Sequence, residues 1–483
     1  MILGRLGEGI AHDAPMRRLL FAAALLLAAH SPAGESRTVR DFGATGDGQT
    51  DDTAAIQRAT ESGALFFPKG IYRLSKTVTI DLDRGGFTSL AGDGTARIVM
   101  AGAGPAFHFI GTHEGTADPQ TVSPAVWERQ RAPRVHGLEI VGAHAEADGI
   151  EASGTMQLTI TATIARGLRH AIHLTQRNRN VLIADCHLYD NRGCGVFFDH
   201  VNLHQSNIIG CHISYNAGGG VVTRGGEVRN LQIGTCDLES NMAADPAPAA
   251  NVLIDCTGGS TAEVAVTGCT LQHNSKSAGS ANLRFIGRGV TSGKDATATQ
   301  EGHLTVTGNI FSDVMVNVHL QHARGVVITG NTFWEGFEHD LLIEDSQAVV
   351  VGPNDFDRNP RYVVNGNWAK DRNGLVLRRC ADVKLHGLLV KSVWQQPAAV
   401  LLEHCTRCTV HDCSIFDSDG VGLWLKECAQ CSVTSCVIRD DRPEKKATLS
   451  LKVEGGAENW IASNWLRDGA EGLEEAELRA NRR

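Results

Sequence analysis

A two-part unit recurs between Ile150 and Val453, and this repeat limits the chain to a narrow set of folds. The first part has the form G-[IV]-x-[LF], as in GVFF at Gly195 to Phe198 and GLVL at Gly374 to Leu377. The second has the form N-x-x-[IV]-x-x-[CN]-x-[ILF], as in NVLIADCHL at Asn180 to Leu188 and NLQIGTCDL at Asn230 to Leu238. Apolar residues alternate within each run, the periodicity of a strand with one buried face.

Aligning the second runs places Cys186, Cys211, Cys236, Cys269, Asn309, Asn331, Asn354, Leu388, Cys413, Cys436 and Asn464 in one column. Their spacing varies from 22 to 40 residues, so the turns differ in length while the strands do not. Five residues beyond the first four members come Asn191, Asn216, Asn241 and Asn274, which read as an asparagine ladder. Side chains recurring at one place per unit are what stacking at about 4.8 Å selects. The expected fold is all-β, a single-stranded parallel β-solenoid whose coils share one core.

The segment from Val39 to Ile80, VRDFGATGDGQTDDTAAIQRATESGALFFPKGIYRLSKTVTI, resembles the opening signature of the pectate-lyase-like superfamily. That superfamily groups pectate lyases, rhamnogalacturonases, polysaccharide epimerases and phage tailspikes. The resemblance implies a right-handed parallel β-helix with a short N-terminal capping helix. Here Asp51 or Asp52 can cap a helix from Thr53 to about Ser62, and that helix would cover unpaired strand edges at the open end. Asp47, Asp51 and Asp52 therefore read as structural. No catalytic residue carries over: the place of the calcium-binding Asp-His pair reads Ala184-Asp185-Cys186, and RAPR at Arg131 to Arg134 does not supply R-x-P-x-x-R. The polygalacturonase and alginate epimerase motifs are not found.

Met16, Arg17 and Arg18 precede the apolar run Leu19 to Ala29, with Ser31-Pro32-Ala33 as a cleavage site, so residues 1–33 read as an export signal starting at Met16. The organisation expected is signal 1–33, β-helix 34–465 and a charged tail or short helix 466–483. The mature chain is expected to be secreted or periplasmic, with no membrane contact after signal removal. A net charge of -9 argues against nucleic acid as a partner.

Thirteen cysteines in an exported chain raise the question of disulfides. Cys405, Cys408, Cys428 and Cys431 also form C-x2-C-x19-C-x2-C, a zinc-site spacing. The coil repeat generates the same spacing, and buried thiols stack well, so a thiol ladder in the core is the third reading and the favoured one.

Chemistry on such a scaffold is expected on outward side chains of one strand face. One column runs through Glu151, His173, Phe197, Val222, Leu253, Arg284, His319, Leu342, Val376, Leu401 and Trp424. A second runs through Thr175, Asp199, Arg224, Asp255, Gln321, Glu344, Arg378, Glu403, Lys426 and Lys452. The preferred cleft takes its catalytic candidates from His319, Glu344, Arg378, Glu403, Lys426 and Arg284. Trp334, Tyr362, Trp368, Trp394 and Trp424 serve as sugar-stacking rings. A second patch comprises His173, Asp199, Arg224 and Asp255, in which Asp199 and Asp255 could hold Ca2+ against a uronate. Surface histidines His187 and His212 with Asp237 form a third column. The function expected is action on a uronate-containing polysaccharide. Elimination is placed slightly ahead of hydrolysis or epimerisation, and a non-catalytic carbohydrate-binding or surface structural protein is the rival. Oligomeric state is left open.

Overall fold

The computed structural model describes residues 37–115, 118–243, 249–289, 300–365 and 370–482. The export-signal reading and Trp368 lie outside these residues. From Arg37 the chain forms one compact unit, a solenoid of short parallel strands, each hydrogen-bonded to its counterpart one coil away. The parallel pairing predicted from the repeat is therefore realised as a right-handed β-helix.

The predicted column is in register along its whole length. The residues immediately after its members pair in unbroken order, from His187 with His212 and His212 with Asp237 through to Ser414 with Val437 and Val437 with Trp465. All thirteen cysteines are free and buried, in agreement with the ladder reading. Each column thiol donates to a backbone carbonyl, as Cys211 Sγ does to Ile209 at 3.4 Å. Where asparagines replace cysteines, their amides bond along the axis: Asn309 to Asn331 and Asn331 to Asn354, both at 3.0 Å. Beneath them Phe311, Phe333 and Phe356 stack with centroids 4.9 and 4.5 Å apart.

The second ladder departs from expectation at one rung. Asn191 donates to Asn216 and Asn216 to Asn241, each at 2.7 Å, but the next member is Asn251 rather than Asn274. After Asn241 the ladder passes from the turn to the start of the strand Ala249–Thr267, and continues through Asn282 and Asn317 to Asp340. Asn274 instead accepts from the Lys276 amide in a local turn, at 2.9 Å.

At the N-terminal end the helix spans Thr53–Thr60, packing Ile56 and Ala59 onto the core. Asp51 accepts from the Thr53 amide at 3.1 Å and so caps the helix, while buried Asp52 ties down the amides of Thr45 and Gly46. The amides of Thr50 and Gln49 hold the Asp47 carboxyl down at about 2. All three aspartates thus do structural work. At the other end Leu451 pairs with Ala470 and a helix forms over Glu475–Ala480, so strand pairing runs past residue 465.

Candidate functional site

The outward strand face carries the predicted first column in register, Glu151 to His173 to Phe197 and onward to Trp424, and extends it by His108 one coil before Glu151. The second column holds as far as Lys426, whose partner one coil on is Glu454. Lys452 pairs with Trp424 instead, because its strand, Ala447–Glu454, runs two residues beyond it.

Along this face the preferred catalytic set forms an alternating charge ladder. His319 Nε2 lies 3.1 Å from Glu344, Arg378 lies 3.6 Å from Glu344 and 3.3 Å from Glu403, and Lys426 lies 2.8 Å from Glu403. Burial, then the nearby Arg284, lowers the pKa of His319. Arg284 turns aside to donate to the Gly279 carbonyl at 2.6 Å, and burial lowers its pKa too. The structure therefore brings His319, Glu344, Arg378, Glu403 and Lys426 together, each charge answered by a neighbour.

The aromatic residues divide differently. Lys452 sits over the Trp424 ring at 4.6 Å, and Arg358 over Trp394 at 4.1 Å. Trp334 and Tyr362 stack on each other, centroids 5.4 Å apart, and line a cavity of about 670 Å³. That cavity opens beside the turns rather than on the strand face. It is also lined by Tyr215, Glu239, His273, Lys276 and Asp313, none of which sequence reasoning selected.

These residues have a positional signature. Four places beyond each column residue come Asp190, Tyr215, Ser240, His273, Asp313 and Glu335, all with φ between 49° and 60°. A stacked left-handed turn aims their side chains outward in a row. Tyr215 donates to Glu239 at 2.8 Å. His273 stands between two carboxylates, with Nε2 3.9 Å from Glu239 and Nδ1 3.4 Å from Asp313. Behind Asp313 lies Glu335, only 3 % exposed. Burial, then the adjoining Asp313 carboxyl, pushes Glu335 up to about 9, so this pair retains a proton at neutral pH.

In the second patch His173 Nε2 meets Asp199 at 3.1 Å, and Asp199 also accepts from His200 at 2.7 Å. Asp199 and Asp255 are two strands apart with Arg224 between them, and Arg224 approaches Asp255 at 3.5 Å. The two aspartates are thus separated by a guanidinium. His187 and His212 stack at 5.0 Å, with His212 3.4 Å from Asp237, all on the surface.

The continuous parallel coil, with an aromatic, carboxyl-lined groove beside its turns, defines a right-handed β-helix protein. Residues 36–124 match the family described as rhamnogalacturonase A/epimerase, pectate lyase-like. Residues 135–275 match the right-handed β-helix region, and residues 260–466 match a family described as periplasmic copper-binding protein (NosD). No curated protein matches the chain. Similar solved structures include ORF18 of Geobacillus virus E2, 16 % identical, covering 73 % of this chain at a TM-score of 0.44. This chain spans 58 % of that protein's length. A tailspike of E. coli bacteriophage HK620, in complex with a pentasaccharide, is 12 % identical over 88 % of this chain and 78 % of its own, with a TM-score of 0.45. The A-module of an Azotobacter vinelandii mannuronan C-5 epimerase is 12 % identical over 90 % and 97 %, with a TM-score of 0.38.

Proposed function

We propose that the protein is an exported polysaccharide-acting enzyme that holds a glycan in the groove between Tyr215 and Tyr362 and cleaves it by hydrolysis. The observation that carries this reading is Asp313 at the wall of an aromatic-lined cavity, across His273 from Glu239 and backed by the buried Glu335. A sugar ring presents an apolar C–H face to a stacked pair such as Trp334 and Tyr362. Asp313 then delivers the pair's proton to the glycosidic oxygen, and Glu239, across His273, activates the water. A ring and two contacts separate the carboxylates by no more than about 9.5 Å, the upper limit of the span that inverting glycosidases use. Lys276 offers a positive partner for a uronate carboxylate.

Elimination on the strand face would need a free cation to stabilise the developing negative charge, and there Arg378 and Lys426 both engage Glu403. The test is a panel of uronate-containing and neutral polysaccharides, followed for reducing ends and for the ultraviolet absorbance of unsaturated uronates. Hydrolysis yields reducing ends without that absorbance, and Asp313→Asn abolishes them. Unsaturated products would replace hydrolysis with elimination. Binding without turnover would leave a carbohydrate-binding protein.

A further inference from the structure

We propose that Asp148, Glu151 and His173 bind a divalent first-row transition-metal ion on the strand face, away from the glycan groove. One ligand atom from each lies within 4.8 Å of the others. The strand Ala147–Ser153 supplies both carboxylates, and the adjoining strand Ile172–Ala184 supplies the imidazole through the pairing of Glu151 with His173.

The hydrogen bonding around His173 carries the inference. Its Nε2 faces Asp199 at 3.1 Å and meets that carboxylate as a donor, the tautomer of neutral imidazole that keeps its lone pair on Nδ1 for a metal. Nδ1 is buried without a hydrogen-bond partner and points at Glu151 at 3.8 Å and Asp148 at 4.0 Å. A lone pair aimed at two carboxylates is repulsive, and both separations are too long for a proton to bridge well. A cation at about 2.0–2.2 Å from each atom turns the repulsions into bonds, and ligands so placed stand roughly 3–4 Å apart.

The surroundings suit that ion. Asp148 is wholly buried and held by Arg169 and the His170 amide, so its position is fixed before binding. Asp148, Glu151 and Asp199 bring three carboxylates around His173, and Arg169 is shared between Asp148 and Glu146, so the cluster carries excess negative charge for a divalent ion to offset. The carboxylate behind the imidazole is the outer partner that metal-bound histidines characteristically have. His108 approaches Glu151 at 3.5 Å from the neighbouring strand. Imidazole with two carboxylates favours Zn2+ or Mn2+ over Ca2+, which takes six to eight oxygens.

The experiment is calorimetric titration of the metal-stripped full chain with ZnCl2 at neutral pH. It is repeated on His173→Ala, Glu151→Gln, Asp199→Asn and, as a surface control, His212→Ala. The expected result is one tight equivalent, lost in His173→Ala and Glu151→Gln, weakened about 10–100-fold in Asp199→Asn, and kept in His212→Ala. A His173→Ala protein that keeps the equivalent, a wild type that shows none, or displacement of Zn2+ by an equal concentration of Ca2+ overturns the proposal. Co2+ absorption of the wild type gives a reading that does not depend on variants folding. Bands of nitrogen and oxygen ligation support the site, and a sulfur charge-transfer band would move the metal to the cysteine ladder and overturn it.

Discussion

Asn317 donates its side-chain amide to Asp340 at 2.7 Å, and there the buried asparagine ladder ends on a carboxyl group. Asp340 is completely buried and one of its oxygens has no hydrogen-bond partner. Burial pushes its pKa up to about 7, against roughly 3.9 for a free aspartate. Glu335 follows in the same direction, to about 9.

The sign of the resulting pH dependence follows. Between about 4 and 7 for Asp340, and up to about 9 for Glu335, the folded state binds more protons than the unfolded one, so stability falls as pH rises through that window. Asp340→Asn removes the Asp340 part of the loss. Its melting temperature is expected to exceed wild type by about 2–4 °C at pH 8 and to match it near pH 4. Melts across pH check this, and equal melting temperatures at pH 8 would contradict it.

The cysteines are expected to be chemically silent because all thirteen are buried out of a reagent's reach. Outside the column, burial also raises Cys194 and Cys256 to about 12. Native protein is expected to react negligibly with a thiol-specific disulfide reagent, and denatured protein to release thirteen equivalents. Added reductant is expected to leave the melting temperature where it was.

Phe333 sits between Phe311 and Phe356 in the core stack, so Phe333→Ala empties a site on which two neighbouring coils rest. The expected cost is about 3–5 kcal/mol, read by chemical denaturation with circular dichroism confirming the native fold. A cost under about 1 kcal/mol would mean that the coils collapse around the gap.

The strand face and the groove make opposite predictions. Asp313→Asn and Glu239→Gln are expected to reduce turnover at least about 100-fold, and Trp334→Ala to raise KM. Glu344→Gln and Arg378→Ala are expected to leave turnover unchanged. Loss of activity in the latter pair would return the chemistry to the charge ladder.

What the sequence revealed followed from identity between coils. The cysteine and asparagine column was legible because identical side chains stacked on one another mark their own register, and the outward columns followed by counting along alternating strands. Lys452 falls two residues short because the alternation in LSLKV lets Leu451 pass for the last inward residue, whereas Val453 holds that place opposite Leu425. Asn274 was taken for a rung because it keeps the spacing of Asn191, whereas Asn251 fills the place. The groove escaped for a different reason: Tyr215, His273, Asp313 and Glu335 occupy left-handed turn positions, which neither alternate nor carry apolar residues. Counting four places past the column would have found them.

The amide ladder also sets how the molecule yields to force. Its bonds from Asn191 to Asp340 run along the long axis, one link per step, so a pull on the two ends loads them in series. The weakest link gives way first and transfers the strain to the next, so extension should proceed as a train of small releases, each paying out a single winding of chain.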